Sequence, residues 1–306
     1  MTRSPPSRGE QSPRTTDEPS AETRTSRSAS GRQGEPKRDP ASVLARSSFN
    51  AGVLLLPRDL QTDARRLYYL LRTIDDLVDE GDEGASDRVA AIEAWSREEE
   101  CDSPETQALV ELSTRYPLPR TAFADFCRGM RLDLEDAEMR TEVELERYCE
   151  YAGGTVGLML TALLGAERPE AGGRMVTLGT AMQRTNILRD IDEDLERDRI
   201  YIATSTIERF GFPHPGQREQ LMRDQIARAD ALFAEGFEAI PMLSRGRRAM
   251  GISALFYREI LRQIEREGFG RKRGRVQVPS WRKKMLITRY PTEGLQQKAN
   301  APKGVG

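Results

Sequence analysis

From about Ser42 to Glu267, apolar residues recur at three- and four-residue spacing almost without interruption. That period belongs to the buried stripe of a helix and leaves little room for a sheet. Strand-like alternation is scarce, and aromatic residues, which favour strands, make up only 6% of the chain. Leu67, Leu70, Leu71, Ile74, Leu77 and Val78 define one such face, with Pro57 suited to the start of the helix and Gly81 and Gly84 to its end. Further helices are expected over Ala85–Cys101, Thr121–Met139 after the Leu118-Pro119 break, Glu142–Leu164, Arg174–Glu196, Gln217–Ile240 and Gly246–Glu267. The stretches 165–173 and 210–216 read as loops. With no internal repeat and no parallel-sheet pattern, the expected fold class is all-α: one helical domain over residues 41–290. Residues 1–40 hold three hydrophobic residues against 21 Gly, Pro, Ser or Thr, too little apolar surface to offset ordering, so this segment is expected to be a disordered tail. Residues 291–306 are expected to be a flexible C-terminal tail.

Several function classes fall away. Lys and Arg number 47 against 49 Asp and Glu, a net charge of −2, which argues against a nucleic-acid partner. The single histidine, His214, lies in the turn Phe212-Pro213-His214-Pro215-Gly216, a poor place for the base of a Ser-His or Cys-His mechanism. Cys101, Cys127 and Cys149 are scattered and have no histidine beside them, so zinc and a disulfide framework are both unexpected. No apolar signal core opens the chain. The longest uncharged stretch, Tyr151 to Ala166, has 16 residues, short of the ~18 that a membrane span requires. A cytoplasmic protein is expected.

Two segments carry the chemistry. In the first, Tyr68, Arg72 and Asp76 share a polar helix edge with the i, i+4 pair Asp75 and Asp79. In the second, Gln183, Asn186, Asp190 and Asp194 step by three, four and four along another helix. Like charges one turn apart destabilise a helix, and burying them is worse unless a cation neutralises them. Magnesium, a hard cation that binds a few carboxylates together with substrate phosphates, fits this need. Arg72, Arg189, Gln183 and Asn186 then supply donors for phosphate oxygens. One Asp-x-x-x-Asp alone is ordinarily a solvated face; two, each backed by amide or guanidinium groups, point to a diphosphate held between two helices. Gly153-Gly154-Thr155-Val156-Gly157 is no nucleotide loop, since no strand precedes it; close helix packing, or room for a long apolar substrate, explains it better. The basic residues between 271 and 284 lack acidic neighbours in sequence and read as solvated surface, with a diphosphate or anionic-membrane contact as the sharper reading.

These residues resemble the squalene/phytoene synthase family over about residues 46–288. The resemblance is carried by Ser47-Ser48-Phe49 with Leu55-Leu56-Pro57, by Tyr68 through Glu80, and by Tyr148-Cys149 with Gly154-Thr155-Val156-Gly157. It continues in Asn186 through Asp194 with Arg199-Ile200-Tyr201, and in Phe256 through Leu261. It implies an isoprenoid synthase helical bundle with a central apolar cavity. The implied enzyme ionises one allylic polyprenyl diphosphate and couples the cation to a second, through a cyclopropyl intermediate, to squalene, dehydrosqualene or phytoene. On this resemblance Asp75, Asp79, Asp190 and Asp194 bind magnesium. Arg72, Gln183, Asn186 and Arg189 hold diphosphate or order the metal site, and Arg46, Ser48, Phe49 and Arg199 join the substrate contacts. Tyr68 and Tyr257 lie near the diphosphate and guide rearrangement. The chain departs from the family at Ala45-Arg46-Ser47, which lacks the usual histidine, and at Tyr201-Ile202-Ala203 in place of Tyr-Leu-Pro. The first departure touches the second diphosphate. It keeps open the transfer of one prenyl group to an aromatic acceptor such as a carbazole. A third reading is a non-catalytic helical binding protein, which the intact aspartates disfavour.

Overall fold

The computed structural model describes residues 52–288. Arg46, Ser48, Phe49, the 1–40 segment and the 291–306 segment lie outside the described residues. Ten α-helices are described: α1 (Arg58–Asp79), α2 (Ala85–Ser96), α3 (Pro104–Ser113), α4 (Arg120–Leu134), α5 (Glu142–Cys149), α6 (Thr155–Leu164), α7 (Ala171–Glu196), α8 (Thr204–Phe210), α9 (Glu219–Gly236) and α10 (Arg247–Arg266). A π-helical segment, Glu150–Gly154, joins α5 to α6, and a 3-10 segment, Phe237–Met242, follows α9. Residues 280–288 are also helical. Among the described residues there is no strand, only an isolated bridge between Ala166 and Leu243.

Local chemistry explains most boundaries. Ser103 and Thr106 close a capping box at α3 with Pro104 at its first turn, and Thr141 and Glu144 do the same for α5. Gly165, at φ 71°, and Gly211, at φ 90°, end α6 and α8 in conformations that suit glycine. Four expected spans change. α2 stops at Ser96 rather than Cys101, and Glu98 follows at φ 65°. α4 stops at Leu134 rather than Met139, just before Asp136 at φ 47°. α7 begins at Ala171, inside the expected loop. The Gln217–Ile240 helix becomes α9 plus a 3-10 turn, because Pro241 removes a backbone donor. Helices α3 and α8 were not expected at all.

The longest helix, α7, packs against α5, α6, α9, α10 and both irregular segments. Glycine makes its closest neighbours possible. A Cβ on Gly157 would lie 2.1 Å from the Met175 carbonyl oxygen, and one on Gly179 would lie 2.2 Å from that of Gly153. The mid-chain glycines therefore serve close helix packing. The apolar stripe of α1 is buried as expected, with Leu67, Leu70, Leu71, Ile74 and Val78 inside. Across the core, Arg184 on α7 is almost fully buried; it pairs with Glu142 of α5 and reaches Gln225 Oε1 of α9 at 3.1 Å.

Candidate active site

Each acidic stripe rises from the edge of a buried helix face, which fixes where its carboxylates stand. On α1, Leu71, Ile74 and Val78 anchor the apolar side while Arg72, Asp75, Asp76 and Asp79 stay half-buried. On α7, Ile187, Leu188 and Ile191 do the same for Gln183, Asn186, Arg189, Asp190 and Asp194. The two stripes face each other. The charges of Asp190 and Asp79 both act on Asp194, whose carboxyl is pushed up to about 7, first by desolvation and then by these neighbours. Asp75 is pushed up to about 6, again first by desolvation; Arg72 opposes the shift, and Asp79 and Asp76 add to it.

Guanidinium groups hold most of these carboxylates. Arg72 pairs with Asp75 at 2.5 Å and with Asp76 at 2.6 Å. Arg199 reaches Asp79 at 2.8 Å, and Arg189 grips the adjacent Asp190 at 2.8 and 2.5 Å. Asp194 has no ion pair among the described residues. No three acidic, cysteine or histidine side chains among the described residues are gathered closely enough to grip a metal ion. The donor set nonetheless suits a hard cation. Mutually repelling carboxylates stand beside Asn186 Oδ1, a buried acceptor with no hydrogen-bond partner. The Asn186 amide nitrogen donates to Gln183 Oε1 at 3.2 Å.

The remaining expected residues fall where the stripes meet. Arg189, Asp190, Arg72 and Arg275 all act electrostatically on Tyr257 of α10, whose hydroxyl is shifted upward, mainly by burial. Tyr68 acts on Arg72. The structure therefore brings Tyr68, Arg72, Asp75, Asp79, Gln183, Asn186, Arg189, Asp190, Asp194, Arg199 and Tyr257 into one region built by α1, α7, the segment after α7, and α10.

The basic run needs correction. Its residues lack acidic neighbours in sequence but not in space. Arg275 Nε lies 3.1 Å from Asp190 and its Nη1 lies 3.3 Å from Glu193; Arg273 pairs with Glu196 at 3.0 Å and Arg282 with Glu259 at 3.4 Å. The segment after α10 crosses the C-terminal end of α7 as a strap, and the Val276 N–H points to the Arg189 carbonyl at 3.5 Å. Long-range approach of this kind leaves no periodic mark.

Sequence reasoning also missed a hub at Asp133 of α4. Tyr148 donates to its Oδ2 at 3.0 Å and Tyr201 to its Oδ1 at 2.9 Å, and the two rings stack with centroids 5.2 Å apart. The Tyr201 hydroxyl in turn accepts from Arg199 at 3.3 Å, which completes a chain to Asp79. Desolvation pushes the Asp133 carboxyl up to about 7, against the hydrogen bond from Tyr201 and with the help of the Asp75 charge. One signal was available: Phe123, Phe126, Met130 and Asp133 step by three, four and three, which puts a carboxylate on a buried stripe. Cys127 and Cys149 are buried, and burial pushes both thiols up to about 12, so they are packing residues rather than nucleophiles.

Comparison with known proteins gives concordant results. The squalene/phytoene synthase family model matches residues 44–282. Phytoene synthase of Thermus thermophilus is 34% identical over 256 residues, covering 79% of this chain and 86% of the relative. The 15-cis-phytoene synthase of Synechococcus elongatus is 33% identical over 267 residues, covering 77% and 85%. Among solved structures, a dehydrosqualene synthase in complex with ligand superposes with a TM-score of 0.76 at 27% identity, covering 84% of this chain and 95% of the other. A squalene synthase from Alicyclobacillus acidocaldarius gives 0.63 at 25% identity, covering 76% and 95%.

Proposed function

The chain belongs to the squalene/phytoene synthase family, and from that premise we propose that it is a prenyltransferase joining two allylic prenyl diphosphates head to head to a phytoene-type hydrocarbon. The observation that carries this reading is the convergence of the α1 and α7 stripes, with an arginine paired to Asp75, to Asp79 and to Asp190.

In this reading Asp75, Asp79, Asp190 and Asp194, with the orphaned Asn186 oxygen, hold magnesium. A magnesium ion held there would supply positive charge to a leaving diphosphate. Gln183 orients Asn186. Arg72, Arg189 and Arg275, already at the carboxylates, turn their N–H groups to diphosphate oxygens, where charge-assisted bonds are strongest. The C1–O bond of one substrate breaks with its electron pair leaving on diphosphate. The double bond of the second attacks the allylic cation, and a proton leaves as the cyclopropane ring closes. Departure of the second diphosphate and loss of another proton give the hydrocarbon. Tyr68 and Tyr257 border the diphosphates and steer the cation by their ring faces and hydroxyls. Arg199 fixes Asp79 from behind. The Arg46, Ser48 and Phe49 side chains are assigned to the second diphosphate by resemblance alone.

Purified protein given magnesium and only geranylgeranyl or farnesyl diphosphate is expected to yield a hydrocarbon of doubled carbon number, read by mass spectrometry of the organic extract. Prenyl alcohols alone, with a prenylated product once an aromatic acceptor is added, would overturn the head-to-head reading. Trp281, 59% exposed beside Lys283 and Lys284, supports a peripheral contact with an anionic membrane. Co-sedimentation with vesicles containing anionic lipid tests it, and W281A should reduce binding. No described helix is long and apolar enough to cross a membrane.

A further inference from the structure

Arg218 and Asp192 are 2% and 3% exposed and take no part in the chemistry above. Their geometry is complete. Arg218 Nη1 and Nη2 grip the two Asp192 oxygens at 2.6 and 2.7 Å. The other guanidinium hydrogens reach backbone carbonyls: Nε to Gly270 at 3.1 Å, Nη1 to Pro213 at 3.2 Å and Nη2 to Lys272 at 3.5 Å. All five N–H donors of the group therefore have an acceptor. Asp192 Oδ2 also accepts from the Gly274 N–H at 2.7 Å. Gly270, at φ 76°, lies so close that a Cβ there would be 2.3 Å from Arg218 Nε. One buried pair thus ties the end of α7 to two carbonyls and an amide of the strap, and to the loop before α9. Arg275, next to the pinned Gly274, is the strap residue at Asp190 and Glu193.

We propose that Asp192 and Arg218 are positioning residues that hold the 268–276 strap across the end of α7, so that Arg275 is delivered to the diphosphate region. This rests on the proposed function for what Arg275 contacts, but not for the pinning itself. A buried charge pair is a weak source of stability; here its five guanidinium hydrogen-bond donors, all satisfied, fix the position of the strap. A lysine at 218 would keep the charge but lose the planar fork that reaches three carbonyls and a carboxylate at once.

The test uses the full chain with magnesium and inorganic diphosphate as the calorimetric probe. R275Q should weaken diphosphate binding about tenfold, the loss of one charge-assisted contact. D192N/R218Q, which leaves no unpaired charge, should weaken it by the same factor while circular dichroism stays near wild type. The triple variant should be no weaker than either. Multiplying losses in the triple variant would overturn the proposal, since Asp192 and Arg218 would then not act through Arg275. Limited trypsin digestion reads the pinning without any ligand. Bonds after Arg271, Lys272, Arg273 and Arg275 should be cut about tenfold faster in D192N/R218Q, as the open population rises. Unchanged cleavage there would also overturn it. If the double variant does not fold, R218K takes its place with the same expectations. Failure of the wild type to bind diphosphate would defeat the proposed function alone, and the digestion would still decide the pinning.

Discussion

At the scale of single residues, the site is a set of carboxylates held near one another at a cost in desolvation and repulsion. D75N or D190N should abolish turnover while leaving helical circular dichroism near wild type, because under the proposed function these half-buried groups serve the ligand and not the core. Wild-type turnover in either variant would remove the metal assignment. Asp133 gives a prediction of a different kind. Its folded carboxyl is raised to about 7 from an ordinary 3.8, so the folded state holds a proton that the unfolded chain has released. The associated stability is fully present below about pH 4 and is lost as pH rises through 7. Metal-free protein should therefore lose melting temperature between pH 5 and 8, and D133N should lose less. The aspartates of both stripes were legible in the sequence because helical spacing alone places them. The partners of Asp133 were not, since Tyr201 lies 68 residues away and meets it only through tertiary packing.

At the scale of elements, packing is closest where glycine replaces side chains. G157A would place its Cβ against the Met175 carbonyl, and overpacking of this sort costs about 1–3 kcal/mol. A lowered melting temperature checks it, and a value unchanged from wild type would show that α6 and α7 can part freely. The π segment Glu150–Gly154 sets the phase between α5 and α6. Deleting one residue there would rotate α6 by about 100° and turn Gly157 off α7, so deletion should be far more damaging than G157A itself. Long amphipathic helices such as α1 and α10 announced themselves through their apolar period. α8, with seven residues and one buried side chain, carried too short a stripe to be read. The strap was visible only as a basic run, because nothing in local sequence says which acids lie across from it.

At the scale of the whole molecule, the family match begins at residue 44, so deleting residues 1–40 should leave turnover and melting temperature nearly unchanged. A fall of more than a few degrees would show that the segment contributes to the domain. The raised carboxyls also change how the intact protein moves in an electric field. Its formal charge of −2 and sequence isoelectric point near 5.8 count every acid as ionised in the ordinary range. Asp75, Asp133 and Asp194 retain part of their protons at that pH in the folded, metal-free protein. Asp59, Glu99 and Asp192 are shifted the other way, but acids already ionised at pH 5.8 add nothing. The native protein should therefore focus at a higher pH than the same chain in urea. Titrating magnesium into the native sample should release protons into a weakly buffered solution, a signal that D75N and D194N would each diminish.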